Sequence, residues 1–96
     1  QYRKRPVVIE AFQMTEARRW DNWDWPGWLH EAWNTDKNSE GSLHIDASDP
    51  ARARLAIFTP EGVHQVTWGD WIIRGVRGEL YPCKDDIFRA TYEEVT

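Results

Sequence analysis

Tryptophan is the feature that most constrains how this chain can fold. The 96 residues include seven tryptophans, five of which lie between Trp20 and Trp33. A single domain of this length buries roughly 60–65% of the surface that its unfolded chain exposes, and each buried indole removes about 200 Å² from water. We expect most of the rings to form the core, because small domains rarely expose many large aromatic side chains. The segment from Trp20 to Trp33 still holds more indoles than one helix face can bury, so some should face outwards.

Length and composition predict one domain spanning residues 1–96. The single cysteine, Cys83, excludes an internal disulfide. We see no signal-peptide pattern and no apolar run of the roughly 18 residues that a membrane span requires. The expected location is therefore the cytoplasm.

Charge is unevenly distributed along the chain. The formal net charge is -4, which disfavours non-specific binding to nucleic acids or anionic membranes. Residues 1–19 carry five basic and two acidic side chains, whereas residues 20–50 carry one basic and seven acidic. A basic head is thus followed by an acidic, tryptophan-rich segment, which is either a solvated face or a binding face.

The first half of the chain predicts one strand and two helical segments. Residues 6–13 are mostly apolar and β-branched, which predicts a strand buried near Val8 and Ile9. A helical turn over residues 16–20 follows, with Thr15 as its N-cap. Residues 24–33 form the strongest helix pattern, with Asp24 as N-cap. Its apolar stripe consists of Trp25, Trp28, Leu29, Ala32 and Trp33.

The second half predicts an antiparallel meander. Short β-type runs cover residues 43–45, 54–59, 63–68, 71–75 and 79–83, and tight turns with Gly69 and Gly78 at positive φ separate the later ones. A helical turn over residues 84–88 and a last strand over residues 89–95 complete the pattern. We predict an α+β, β-rich fold with a four- or five-strand antiparallel meander and one amphipathic helix packed on it. The N-terminal strand joins this sheet or closes it towards a barrel.

Two stretches resemble a known family. Residues 2–13 read YRKRPVVIEAFQ, and residues 69–92 read GDWIIRGVRGELYPCKDDIFRATY. Together they resemble a widespread group of small, uncharacterised proteins of tailed bacteriophages and prophages, over a little more than a third of the chain. Members usually have proline where this chain has Trp68 and Asp85. The resemblance implies a phage-encoded accessory protein that works inside the infected bacterium, and it supplies no catalytic residues.

Metal and catalytic sites have little support in the sequence. The three histidines fall on different predicted elements, and Cys83 is distant from all of them, so we assign no metal, no cofactor and no catalytic residue. A nucleophilic Cys83 would need a histidine partner and a lowered pKa. A lone cysteine in a β-type run is more often a small buried apolar residue.

Two binding hypotheses remain. Trp20 and Trp23 fall outside the apolar stripe, and exposed tryptophan is enriched at interface hot spots, so we expect these two to contact a host or phage protein. A homodimer through the same residues is a further expectation. The alternative is a nucleotide-like small ligand, since arginine beside aromatic rings can bind a phosphate and a base. That site would consist of Trp68, Arg74, Arg77 and Tyr81. An enzyme ranks third.

Overall fold

The computed structural model describes residues 1–3, 5–51 and 54–95. Six strands and three short helices form along this part of the chain. Their order is β1 (Glu10–Gln13), α1 (Glu16–Trp20), α2 (Gly27–Trp33), β2 (Leu43–Ile45), β3 (Leu55–Thr59), β4 (Gly62–Val66), β5 (Trp71–Arg74), β6 (Leu80–Cys83) and α3 (Asp85–Thr91). None of these helices has the length and apolar character that crossing a membrane requires.

The strands form two antiparallel sheets of three strands each. One sheet has the order β2-β3-β4 and is a true meander, while the other has the order β1-β5-β6. The α+β class with a β-rich meander is therefore confirmed, although the strands are divided between two sheets. The N-terminal strand joins a sheet, which was one of the two outcomes predicted for it.

The division occurs at the turn between β4 and β5. The Asp70 N–H donates to the Thr67 carbonyl, and Gly69 adopts a φ of 96°, a conformation that glycine reaches without steric cost. Met14, just after β1, donates its N–H to Asp70 and accepts the Gly69 N–H, both at 2.8 Å. Because β1 occupies the place beside β5, β4 cannot pair there, and the chain passes from one sheet to the other.

The core lies between the two sheets and α2. It is built from apolar side chains of both sheets together with Trp25, Leu29 and Ala32, and Trp28 and Trp33 pack against it while partly exposed. The prediction that the amphipathic helix packs on the sheets through its tryptophan stripe is confirmed. The largest fully buried side chains of the strands are Leu43, Leu55, Ile57, Val66, Ile72 and Ile73.

The first strand is shorter than predicted, and the expected burial of Val8 is wrong. Strand β1 begins at Glu10, and Val8 is 75% exposed. The reason lies in the partner strand, since Glu10 pairs with Arg74, the last residue of β5. Beyond Arg74 the chain turns back, with the Gly75 N–H donating to Glu79. Residues 5–9 therefore have no strand beside them.

The predicted last strand over residues 89–95 is also wrong. Residues Asp85–Thr91 form helix α3. Two i,i+4 relationships favour the helix: Arg89 Nε donates to Asp85 Oδ1 at 2.9 Å, and the Phe88 and Tyr92 rings stack with centroids 5.1 Å apart. Phe88 also stacks on Trp71 of β5, at 4.0 Å between ring centroids, which fixes α3 against the β1-β5-β6 sheet.

The helix caps are partly as predicted. Thr15 is confirmed as the N-cap of α1, because its Oγ1 accepts the Arg18 N–H at 3.2 Å. Asp24 is not the cap of α2. That helix begins later, after Pro26, which makes no side-chain cap bond. The Asp24 carboxylate instead pairs with the Arg18 guanidinium at 3.4 Å.

Candidate functional site

Two indole rings project from the end of α1 and the loop that follows it. Trp20 is 74% exposed and Trp23 is 80% exposed, whereas Trp25, two residues further on, is only 5% exposed. The Trp25 indole N–H donates to the Arg18 carbonyl at 2.8 Å, which satisfies its polar group inside the core. The expectation that some indoles face outwards therefore holds for Trp20 and Trp23.

Arg19 supports one of these exposed rings. Its guanidinium carbon lies 4.6 Å from the Trp20 ring centroid and 4.5 Å from that of Trp33. Both distances are within the range of a cation–π interaction. The side chain is half-buried between the rings, and this burial lowers the pKa of the guanidinium. We call Arg19, Trp20 and Trp23 the tryptophan surface.

Arg18 anchors the tryptophan surface to the sheet. Its Nη1 donates to the Gln13 carbonyl at 2.9 Å, and its guanidinium carbon lies 4.6 Å from the centroid of the Phe12 ring. The ion pair with Asp24 ties the loop to the same side chain. The exposed rings are thus carried by a short helix fixed to β1 and by a loop closed by an ion pair, so little backbone freedom remains to be lost on binding.

Sequence reasoning identified the exposed rings but missed the arginines. Trp20 and Trp23 could be found because they fall outside the helical stripe of α2. Arg19 contacts Trp33, which is 14 positions later and on another helix. Only the packing of α1 beside α2 creates that contact, and the sequence carries no local signal for it.

The sequence segment that carries the tryptophan surface is acidic. Residues 20–50 contain seven acidic residues and one basic residue. Asp21, which follows Trp20, is exposed, and Asp24, which follows Trp23, is paired with Arg18.

The four residues of the small-ligand alternative lie in different surroundings. Trp68 packs against the core cluster, and Arg74 is exposed and pairs with Glu10 at 3.6 Å. Arg77 borders a hollow with Phe58 and Leu80, whereas Tyr81 borders two other hollows. Among the best-defined hollows of the described part of the chain, none contains two of these four residues.

Tyr81 and Cys83 on β6 are held in their neutral forms. Burial and the neighbouring Tyr92 hydroxyl raise the pKa of Tyr81 to about 12. Burial also raises the pKa of the Cys83 thiol, and the Asp70 and Asp86 carboxylates act in the same direction. A nucleophilic cysteine needs the opposite shift, so the environment of Cys83 suits a structural thiol.

The buried Asp70 and the exposed Lys84 form a polar cluster beside Cys83. Asp70 is 4% exposed, and its Oδ2 accepts bonds from the Thr67 N–H at 2.9 Å, the Thr67 hydroxyl at 3.1 Å and Lys84 Nζ at 3.1 Å. Lys84 Nζ also donates to the Thr67 hydroxyl. Through Oδ2, the carboxylate holds the turn between the two sheets.

His30 and His44 have different neighbours, whereas His44 and His64 border the same hollow. His30 lies 5.4 Å from the Trp25 ring, and His44 Nδ1 lies 3.1 Å from the hydroxyl of the buried Ser42. Within residues 1–3, 5–51 and 54–95, no group of three or more histidine, cysteine, aspartate or glutamate side chains is placed to hold a metal ion.

Comparison with known proteins gives no relative from which a function could be transferred. No family model, no curated protein and no solved structure matches the chain. The tryptophan surface must therefore be judged on its own geometry.

Proposed function

We propose that this protein is a phage-encoded, non-enzymatic module that binds a host or phage protein in the cytoplasm of the infected bacterium. The binding site is the tryptophan surface. The observation that carries the proposal is the exposure of Trp20 and Trp23 in a domain that buries Trp25 almost completely. The viral setting rests on the family resemblance of residues 2–13 and 69–92.

Energetics support a role for the exposed rings. Burial of the apolar area of an indole ring stabilises a domain, and a ring that stays in water does not contribute this stabilisation. Tryptophan and arginine are the side chains most enriched among residues that dominate binding energy. Two exposed tryptophans, one of them against a guanidinium held between rings, match that composition.

The acidic sequence segment that carries the tryptophan surface supports a basic partner. Complementary charges raise the rate of association and suppress wrong partners, and their effect falls with ionic strength. Nucleic acid is a poor candidate partner, since both the net charge of -4 and this acidic segment oppose binding to a polyanion.

The proposal is tested by capture from bacterial and phage-infected lysates on immobilised protein. The wild-type chain should retain a specific protein, and retention should weaken as salt rises from low to physiological concentration. A variant with both Trp20→Ala and Trp23→Ala should lose the captured protein. Val76→Ala is the matched control, because Val76 is an equally exposed apolar side chain on a different turn. Equal capture by the double variant and the wild type would overturn the proposal.

A further inference from the structure

Strand β4 is an unprotected edge of the β2-β3-β4 sheet. Among the described strands it pairs only with β3, and its three central residues, Val63, His64 and Gln65, are exposed. Folded proteins commonly protect an edge strand with proline, lysine, a bulge or a covering segment. The sequence of β4, GVHQV, contains no proline and no charged residue, and its register with β3 is continuous. Another strand can therefore pair here.

Two residues of β4 direct their main-chain groups away from β3. In an antiparallel pair, alternate residues exchange hydrogen bonds with the partner strand. The Phe58 N–H donates to the Ser42 carbonyl on the β2 side, so Phe58 and its β4 partner Val63 form a pair without mutual hydrogen bonds. Gln65, two residues on, has the same orientation. The N–H and C=O groups of both residues point outwards, and no backbone group of the described part of the chain bonds to them there.

The free row of main-chain groups is short and has a defined end. The next residue with this orientation is Thr67. Its N–H donates to Asp70 Oδ2 at 2.9 Å, and its carbonyl accepts the Asp70 N–H at 3.0 Å. The turn between the two sheets thus closes the edge beyond Val66. What remains open fits a short extended segment, with one of its residues opposite Val63 and another opposite Gln65.

An acidic hollow lies beside β4 on one face of its sheet. His64 pairs with the fully buried Ile57, so its side chain is on the face that turns towards the core. A hollow of about 420 Å³ lies there at the rim, bordered by His64, Glu61, Glu79 and Tyr81. Among the described residues that border it, the two glutamates carry the charge and there is no lysine or arginine. We call it the acidic hollow.

We propose that β4 binds an extended segment of another protein with the pattern apolar–basic–apolar, which adds to the sheet as an antiparallel strand. The two apolar residues bond through their main chains to Val63 and Gln65. Because side chains alternate across a strand, the basic residue between them, opposite His64, directs its side chain towards the acidic hollow. The apolar side chains lie on the other face, beside Val63 and Phe58. Main-chain bonds supply affinity in this mode, and the hollow supplies specificity.

A second copy of the chain fits this edge less well. Two β4 strands paired about a two-fold axis at His64 would bring their acidic hollows together on the same face of the joined sheet. The Glu61 and Glu79 carboxylates of both copies would then repel each other, whereas a lysine or arginine side chain is attracted. Charge therefore favours a basic segment. This site is separate from the tryptophan surface and does not depend on the function proposed for it.

Backbone N-methylation of a synthetic peptide tests the strand addition. The probe is a blocked peptide with the core Val-Arg-Val between threonines, and isothermal titration calorimetry gives its Kd. Both valine N–H groups face β4 in the proposed register, whereas the arginine N–H points away. N-methylation of either valine should weaken binding at least about tenfold, and N-methylation of the arginine less than about threefold. Glutamate in place of the arginine should weaken binding at least about tenfold.

A pair of protein variants tests the same edge. Val63→Pro removes an outward donor and should bind the peptide at least about tenfold more weakly, and because that N–H does not face β3 the strand pair should persist. Val63→Thr, which keeps the N–H, is the matched control and should bind like the wild type. Far-ultraviolet circular dichroism verifies that both are folded.

Three results would overturn the proposal. They are failure of the Val-Arg-Val peptide to bind at about 1 mM, equal weakening by N-methylation at arginine and at valine, and equal binding by the wild type and Val63→Pro. A wild-type dimer in sedimentation that Val63→Pro disrupts would assign the edge to a second copy instead. None of these results bears on the tryptophan surface, because the double Trp20 and Trp23 variant should bind the peptide like the wild type.

Discussion

Arg19 lies between the indole rings of Trp20 and Trp33, with its guanidinium carbon 4.6 Å from one ring centroid and 4.5 Å from the other. Through this contact, a half-buried ring of α2 holds the cation that supports an exposed ring of α1. The side of Trp20 away from Arg19 remains open to solvent. The relationship orients Trp20 without burying it.

Replacing Arg19 should loosen the tryptophan surface. We expect Arg19→Ala to lower the free energy of unfolding by about 1 kcal/mol, because two partly exposed cation–π contacts are lost. Acrylamide should then quench tryptophan fluorescence more efficiently, since Trp20 and Trp33 become more accessible. Arg3→Ala, at an exposed position before the first strand, is the control and should leave both quantities unchanged. Identical quenching in the wild type and Arg19→Ala would contradict this description of the site.

The buried Asp70 should be important for stability. Asp70→Ala removes the acceptor for the Thr67 N–H, the Thr67 hydroxyl and Lys84 Nζ. Leaving such donors unsatisfied should lower the free energy of unfolding by about 1–3 kcal/mol. Urea denaturation measures the loss, and Glu94→Ala, at an exposed position, should change stability by less than about 0.5 kcal/mol. If the urea midpoint of Asp70→Ala equals that of the wild type, the turn does not depend on this carboxylate.

Asp85 should make stability dependent on acidic pH. The hydrogen bond from the Trp71 indole at 2.8 Å lowers the pKa of Asp85, and Arg89 lowers it further, although burial acts in the opposite direction. A folded-state pKa below the unfolded value of about 4 stabilises the fold above that pH, and this stabilisation is lost as pH falls through the folded pKa. The stability difference between the wild type and Asp85→Asn should therefore be greatest near neutral pH and shrink below pH of about 4. Urea midpoints measured from pH 7 to pH of about 3 test this, and a difference that is constant across the series would refute it.

Cys83 should react slowly with alkylating reagents. Burial and the neighbouring carboxylates raise the pKa of its thiol, and only the thiolate is the nucleophile. The rate of iodoacetamide labelling should have its pH midpoint above the usual thiol value of about 8.5. A free cysteine in a short unstructured peptide is the reference. A midpoint below that of the peptide would instead indicate an activated thiol and reopen the question of catalysis.

Local sequence signals predicted the local features of the fold. The Thr15 cap, the positive φ at Gly69 and Gly78 and the β2-β3-β4 meander all depend on residues that are close together in the chain. The first strand was overextended because its length depends on where β5 ends, more than 60 positions later. The alternation of residues 89–95 fits a strand, whereas the Arg89–Asp85 and Phe88–Tyr92 pairs and the stacking of Phe88 on Trp71 favour the helix found there.

The two exposed rings of the candidate site were predictable from the sequence. Trp20 and Trp23 fall outside the apolar stripe of the predicted helix, and this follows from the spacing of the residues alone. The contact between Arg19 and Trp33 was not predictable, because it arises from the packing of two helices.

The most direct test of the tryptophan surface is a fluorine NMR titration of 5-fluorotryptophan-labelled protein with the purified partner recovered by capture. Seven resonances, assigned through single Trp→Phe variants, report separately on the seven indoles. The account predicts that the Trp20 and Trp23 resonances shift or broaden on binding, while that of the buried Trp25 keeps its position. If the complex forms while the Trp20 and Trp23 resonances stay unchanged and those of other indoles shift, the account is contradicted.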